Sequence, residues 1–146
     1  MRIRLNLIAL TLILGVVVSS CKEDPPPAKT DEQLQTEKLA KAWVLNTGSN
    51  VVTLDGNDVS LDWTTFELTL GDKTYNSINA TFPEVWPSNG TWAFDGADVN
   101  TLVRDDGVKI SIAVTDTSLQ LQFDYSAAGG RLAGVEGSWV FKMVPK

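Results

Sequence analysis

The chain has no histidine and a single cysteine, Cys21, in 146 residues. Without imidazole, Ser-His-Asp and Cys-His catalysis and His-based zinc sites are excluded. One thiol cannot close a disulfide within the chain, so stability has to come from burial. Positive charge is scarce as well, with 12 Lys and Arg against 18 Asp and Glu and a net charge of −6. No basic cluster offsets this, which does not suit a nucleic-acid backbone. Beyond residue 20 no apolar run approaches the roughly 20 residues of a membrane-spanning helix.

The first 20 residues are different. Arg2 and Arg4 precede an apolar run, Leu5 to Val18, broken only by Asn6, Thr11 and Gly15. That charge and length pattern predicts a secretory signal peptide over residues 1–20. An uncleaved N-terminal anchor helix, or a plain signal peptide with an incidental cysteine, are the alternatives. Val18-Ser19-Ser20-Cys21 resembles the lipobox of bacterial lipoproteins. That resemblance implies lipidation of Cys21, attachment to the outer membrane at its periplasmic face or at the cell surface, and a membrane as partner through the lipid anchor. Cleavage would leave 10 basic and 18 acidic residues, a net charge of −8.

Residues 21–36 read as a tether, with Pro25-Pro26-Pro27 as a stiff extended piece. Lys22-Glu23-Asp24 resembles the charged export signal of Bacteroidetes-type surface lipoproteins; the same charges also serve simply to solvate a linker. Thr30-Asp31-Glu32-Gln33 has capping-box spacing and predicts a short helix over about 31–41. Beyond it the period changes to two. Phe66–Leu70, Val108–Ile112 and Leu119–Tyr125 alternate apolar and polar, and Trp139–Met143 nearly so. Weaker strands fit at 43–46, 50–54, 73–78, 91–95 and 100–104. Asp55-Gly56, Gly71-Asp72 and Asp106-Gly107 supply turns. The fold class is therefore all-β. The expectation is an up-and-down antiparallel β-barrel of about eight strands over 37–146, preceded by a short N-terminal helix. A two-sheet β-sandwich is the rival. The alternation points Trp43, Leu45, Phe66, Leu68, Leu70 and Trp92 inward, along with Phe94, Val108, Ile110 and Ile112. Leu119, Leu121, Phe123, Trp139 and Phe141 complete that face.

Leu39-x-x-x-Trp43, Thr91-Trp92-Ala93-Phe94 and the closing Gly137-Ser138-Trp139 recur in a familiar order. Together with Val85-Trp86-Pro87-Ser88-Asn89-Gly90-Thr91-Trp92, they resemble the lipocalin-like (calycin-type) lipoproteins of Bacteroidetes. The resemblance spans roughly 37–145. It implies a lipocalin-like barrel with, at most, a mouth for one small ligand, and carries no assigned activity. Lys41-Ala42-Trp43 lacks the glycine of the lipocalin Gly-x-Trp signature, and the last strand has no arginine to cover a tryptophan.

Two long loops, Ser77 to Gly90 and Ser126 to Gly137, are the places where function could sit. Trp86 and Trp63, with Tyr75 and Phe82 beside them, are candidate binding residues. Loop aromatics stack on sugar rings or contact a protein partner; alternatively they fold back and plug a barrel end. An eight-stranded barrel is either filled by side chains or holds one small apolar ligand. Asp55-Gly56-Asn57-Asp58, Asp95-Gly96-Ala97-Asp98 and Asp105-Asp106 are oxygen-rich but lack EF-hand spacing, so they read as turns. Neither a catalytic residue, a metal ligand nor a cofactor site is assigned. The sequence reads as a non-enzymatic binding or scaffold module, with an apolar-ligand carrier as the alternative.

Overall fold

A computed structural model describes residues 26–127 and 134–146. Helix α1 covers Asp31–Leu39. Its capping box is formed as spaced: the Gln33 amide donates to the Thr30 hydroxyl (3.2 Å), and the Thr30 amide donates to the Gln33 side chain (2.9 Å). The helix ends two residues earlier than the sequence predicts. Ala40 leaves helical geometry while its amide still reaches the Thr36 carbonyl, and Ala42 is already drawn into a strand. Only Gln35 and Leu39 of α1 are buried. Gln35 packs with the barrel, so the folded unit includes part of what reads as tether.

Ten strands follow: β1 (Ala42–Leu45), β2 (Val52–Leu54), β3 (Asn57–Asp58), β4 (Glu67–Leu70), β5 (Thr74–Ile78), β6 (Asn89–Asp95), β7 (Asp98–Arg104), β8 (Lys109–Val114), β9 (Leu119–Tyr125) and β10 (Gly137–Pro145). All pairings are antiparallel. The order β1-β4-β5-β6-β7-β8-β9-β10 returns to β1, with Trp43 opposite Pro145 and Leu45 opposite Met143. That last pairing closes an up-and-down barrel of eight strands and removes the sandwich alternative.

The first stave is composite, and that was not visible in the sequence. β10 pairs with β1 over its C-terminal part and with β2 over its N-terminal part, where Phe141 faces Val52 and Trp139 faces Leu54. At the junction the Asn46 amide donates to the Lys142 carbonyl (2.9 Å), and the Lys142 amide donates to the Val51 carbonyl (2.8 Å). β1 and β2 are thus one stave interrupted by an excursion at residues 47–50, which Gly48 (φ 115°) and Asn50 (φ 56°) allow to reverse. Ser60, opening a short 3-10 helix (Ser60–Trp63), anchors its far side. Its hydroxyl accepts the amides of Val51 (3.0 Å) and Val52 (3.1 Å).

The strand registers place α1, the β6–β7 turn and the β8–β9 turn at one end of the barrel. The 3-10 helix and the loop from β5 to β6 lie at the other. All the positions expected to face inward are buried except Leu45 and Val108, which are half-buried. Phe141 sits at the centre. Its ring centroid is 4.9 Å from that of Trp63, 5.5 Å from Phe66, 5.9 Å from Trp86 and from Trp139, and 6.0 Å from Phe123.

Truncation at this centre should be costly. Phe141→Ala is expected to destabilise by about 3–5 kcal/mol in urea unfolding, whereas Leu61→Ala, at a site 88% exposed, should stay within about 0.5 kcal/mol. Ser60→Ala orphans two buried amides and should cost about 1–3 kcal/mol. Equal effects from Phe141→Ala and Leu61→Ala would contradict the packing described.

Candidate functional site

The four candidate aromatics meet, but on the inside. Trp63 and Trp86 are fully buried, Tyr75 is buried and Phe82 is half-buried. Trp63 stands edge-on to Phe82 (5.8 Å) and to Phe66 (5.2 Å). Trp86 stands edge-on to Tyr75 (6.3 Å), to Phe66 (5.9 Å) and to Phe123 (5.5 Å). Of the two readings the sequence left open, the structure shows the folded-back one and not an exposed platform around Trp86. These residues plug the barrel end remote from α1.

Magnitudes explain why. An indole buries roughly 150–250 Å², worth about 4–6 kcal/mol at about 25 cal/mol per Å². The cost is visible: the Trp63 and Trp86 indole N–H groups and the Tyr75 hydroxyl are buried without a hydrogen bond of normal geometry. Each such group costs about 1–3 kcal/mol, less than its ring gains. Burial pushes the Tyr75 phenol up from its ordinary value; Arg104 opposes this, while Asp105 and Asp106 reinforce it. A Cβ at position 90 would lie 2.6 Å from the Tyr75 hydroxyl and 2.7 Å from an Asp105 carboxylate oxygen, so any side chain there has to displace the buried Tyr75 ring as well as Asp105.

The loop itself is pinned on both flanks. Ser77 donates through its hydroxyl to the Pro87 carbonyl (2.8 Å) and through its amide to the Ser88 carbonyl (2.7 Å). Asn79 donates to the Thr65 carbonyl (3.0 Å), and the Thr81 hydroxyl donates to the Asp62 carbonyl.

One residue the sequence reading missed holds this end together. Arg104 is 3% exposed. Its Nη1 donates to the Val85 carbonyl (2.9 Å), and its Nε and Nη2 donate to the two oxygens of Asp106 (3.1 and 2.5 Å). The guanidinium carbon lies 5.1 Å from the Trp86 ring centre and 5.8 Å from that of Phe123. Alternation carried the signal, since Arg104 is in phase with the buried Leu102. Partial burial raises the Asp106 carboxyl. The Arg104 and Val108 hydrogen bonds and the guanidinium charge outweigh that and hold it below its usual value.

The interior around Tyr75, Trp86 and Arg104 retains a void of about 10 Å³, room for one water at most. The oxygen-rich turns serve the backbone and neighbouring cations. Asp98 accepts from the Asn100 amide and the Thr101 hydroxyl, Asp55 from the Ser138 amide, and Asp95 pairs with Lys109. Cys21, and residues 128–133 of the second long loop, lie outside the described residues. Among the described residues no helix is long and apolar enough to cross a membrane. No family model matches the chain, and no curated protein or solved structure matches it either. The likeness to lipocalin-like lipoproteins thus rests on the motif residues alone.

Arg104→Met should destabilise by about 3 kcal/mol, because it leaves the Val85 carbonyl and Asp106 without their partner. Arg104→Lys should recover only part of this, lacking the fork that spans both Asp106 oxygens. Asp106 also predicts a pH dependence. A carboxyl whose folded pKa is lowered stabilises above its unfolded value near 3.9, and that stability is lost as pH falls through the folded pKa. Asp106→Asn should therefore be less stable than the wild type at neutral pH, by about 1 kcal/mol given its partial exposure. The gap should close below about pH 4. A gap that persists unchanged through the acid limb would show that the charge contributes nothing.

Proposed function

We propose that this chain is a lipid-anchored lipoprotein whose barrel is a non-enzymatic binding or scaffold module at the outer membrane. The observation that carries the reading is the filled interior. Trp63, Trp86 and Phe141 occupy the space a carrier would leave open, and a void of about 10 Å³ holds no organic ligand. Contacts with partners then fall to the outer surface and the clefts along it. The Val18-Ser19-Ser20-Cys21 motif supports the anchor, and the acidic balance is in keeping with a partner other than nucleic acid.

Geometry is compatible with presentation from a membrane. The described chain reaches the barrel through α1, so an anchor preceding α1 would approach from the side away from the aromatic plug.

Two measurements test this. Wild type expressed in a Gram-negative host should partition into a phase-separating nonionic detergent and yield an acylated N-terminal peptide beginning at Cys21; Cys21→Ala should do neither. Acylation that survives the substitution would overturn the anchor. Native mass spectrometry of the gently purified protein should give the mass of the processed, acylated chain with nothing further bound. A reproducible extra mass lost on denaturation would overturn the filled-barrel reading in favour of a carrier.

A further inference from the structure

The barrel end nearest the tether carries a feature that the aromatic plug does not explain. A cleft of about 590 Å³ opens between α1 and the adjoining ends of β8, β9 and β10. That volume lies within the range of small-molecule sites. Its apolar floor is Ala113 and the half-buried Val114, backed by the buried Ile112, Leu119 and Met143, and its walls carry the amides of Gln35 and Asn100. The Gln35 side chain is itself buried and donates to the Asn100 side chain (3.3 Å), so this wall is preformed.

Charge gives the cleft its character. Among the described residues, Lys29, Lys73, Arg104, Lys109 and Lys146 each pair with a carboxylate. Lys41 donates to the Asp116 carbonyl (3.1 Å). Lys38 and Lys142 make no such bond, and both line this cleft. Not one carboxylate lines it, in a chain with 18 of them. Two uncommitted ammonium groups beside an apolar floor, in an otherwise acidic protein, complement a negative charge carried on an apolar body.

We propose that this cleft is a binding site for small organic anions with an apolar body, short-chain carboxylates being the simplest members. The anion is held by Lys38 and Lys142, and the body lies on Ala113 and Val114, which cover the buried Ile112, Leu119 and Met143. Gln35 and Asn100 supply hydrogen bonds at the rim. The site lies outside the filled interior, and its assignment does not depend on lipidation of Cys21.

The test uses the full chain in nonionic detergent with hexanoate as probe, and hexanol and inorganic phosphate as comparators. Acetylation of individual lysines is followed by mass spectrometry. With hexanoate at about ten times its dissociation constant, Lys38 and Lys142 should react roughly tenfold more slowly, while Lys29 and Lys109 are unchanged. Hexanol should protect neither. In parallel, hexanoate should raise the unfolding temperature of the wild type and of Lys109→Gln but not of a Lys38→Gln, Lys142→Gln double variant. Both substituted side chains are exposed and unpaired, so the double variant should fold as the wild type does. Equal protection by phosphate would overturn the apolar half of the assignment. A hexanoate shift retained by the double variant, or no protection at all, would overturn the whole of it.

Discussion

Strand β10 is the constraint on which the rest of the structure depends. It is the longest strand, and both of its edges are paired, to β9 along one and to β1 and then β2 along the other. Closure leaves only the two-residue β3 with an unpaired outer edge among the described strands, too short to template aggregation, which matters for a chain in which no disulfide can stand in for missing pairing. The same strand supplies Trp139, Phe141 and Met143 to the centre of the core. A slip of one residue would turn Val140 and Lys142 inward instead, so closure and core packing enforce one register together. The excursion at residues 47–50 has to respect that register. It leaves the stave after Leu45, opposite Met143, and returns at Val52, opposite Phe141, with Val52 again facing the core.

Most of the fold was legible because most of it is local. The capping box at Thr30 and the alternation of β4, β8 and β9 are properties of a few consecutive residues, and each element formed where its pattern lay. The union of β1 with β2 was not legible, because it depends on both finding β10 almost a hundred residues away. The plug was half legible. Trp63 and Trp86 stand out in the sequence as loop aromatics, but whether a loop tryptophan faces water or the core depends on how much interior the other staves leave unfilled. That volume is a property of the closed barrel and of no single segment. Arg104 shows the opposite case: its inward phase could be read from Leu102, yet a charge on an apolar face has no evident purpose until Val85, Trp86 and Asp106 surround it.

The treatment of polar groups at the plugged end follows a hierarchy of cost. An unpaired neutral N–H in the core costs about 1–3 kcal/mol, whereas an unpaired buried charge costs several. The structure leaves the indole N–H groups of Trp63 and Trp86 unpaired, while giving the Arg104 guanidinium two carboxylate oxygens, one carbonyl and two aromatic faces. Where space is short, the bonds go to the group whose loss would be largest. Lysine could not fill the same role, since a single ammonium cannot span both Asp106 oxygens and reach the Val85 carbonyl from under an indole.

This allocation separates the two ends of the barrel by chemistry. At the plugged end the cation is buried and its bonds are spent on holding the Trp86 loop, so that end resists reorganisation around a ligand. At the α1 end Lys38 and Lys142 remain in water, and the helix beside them buries only Gln35 and Leu39. Few buried contacts leave this helix with lower local stability than the plugged end, while the Gln35–Asn100 hydrogen bond keeps one wall of the cleft in place. Committed and uncommitted charge therefore fall at opposite ends of this barrel, the uncommitted lysines at the end where α1 packs.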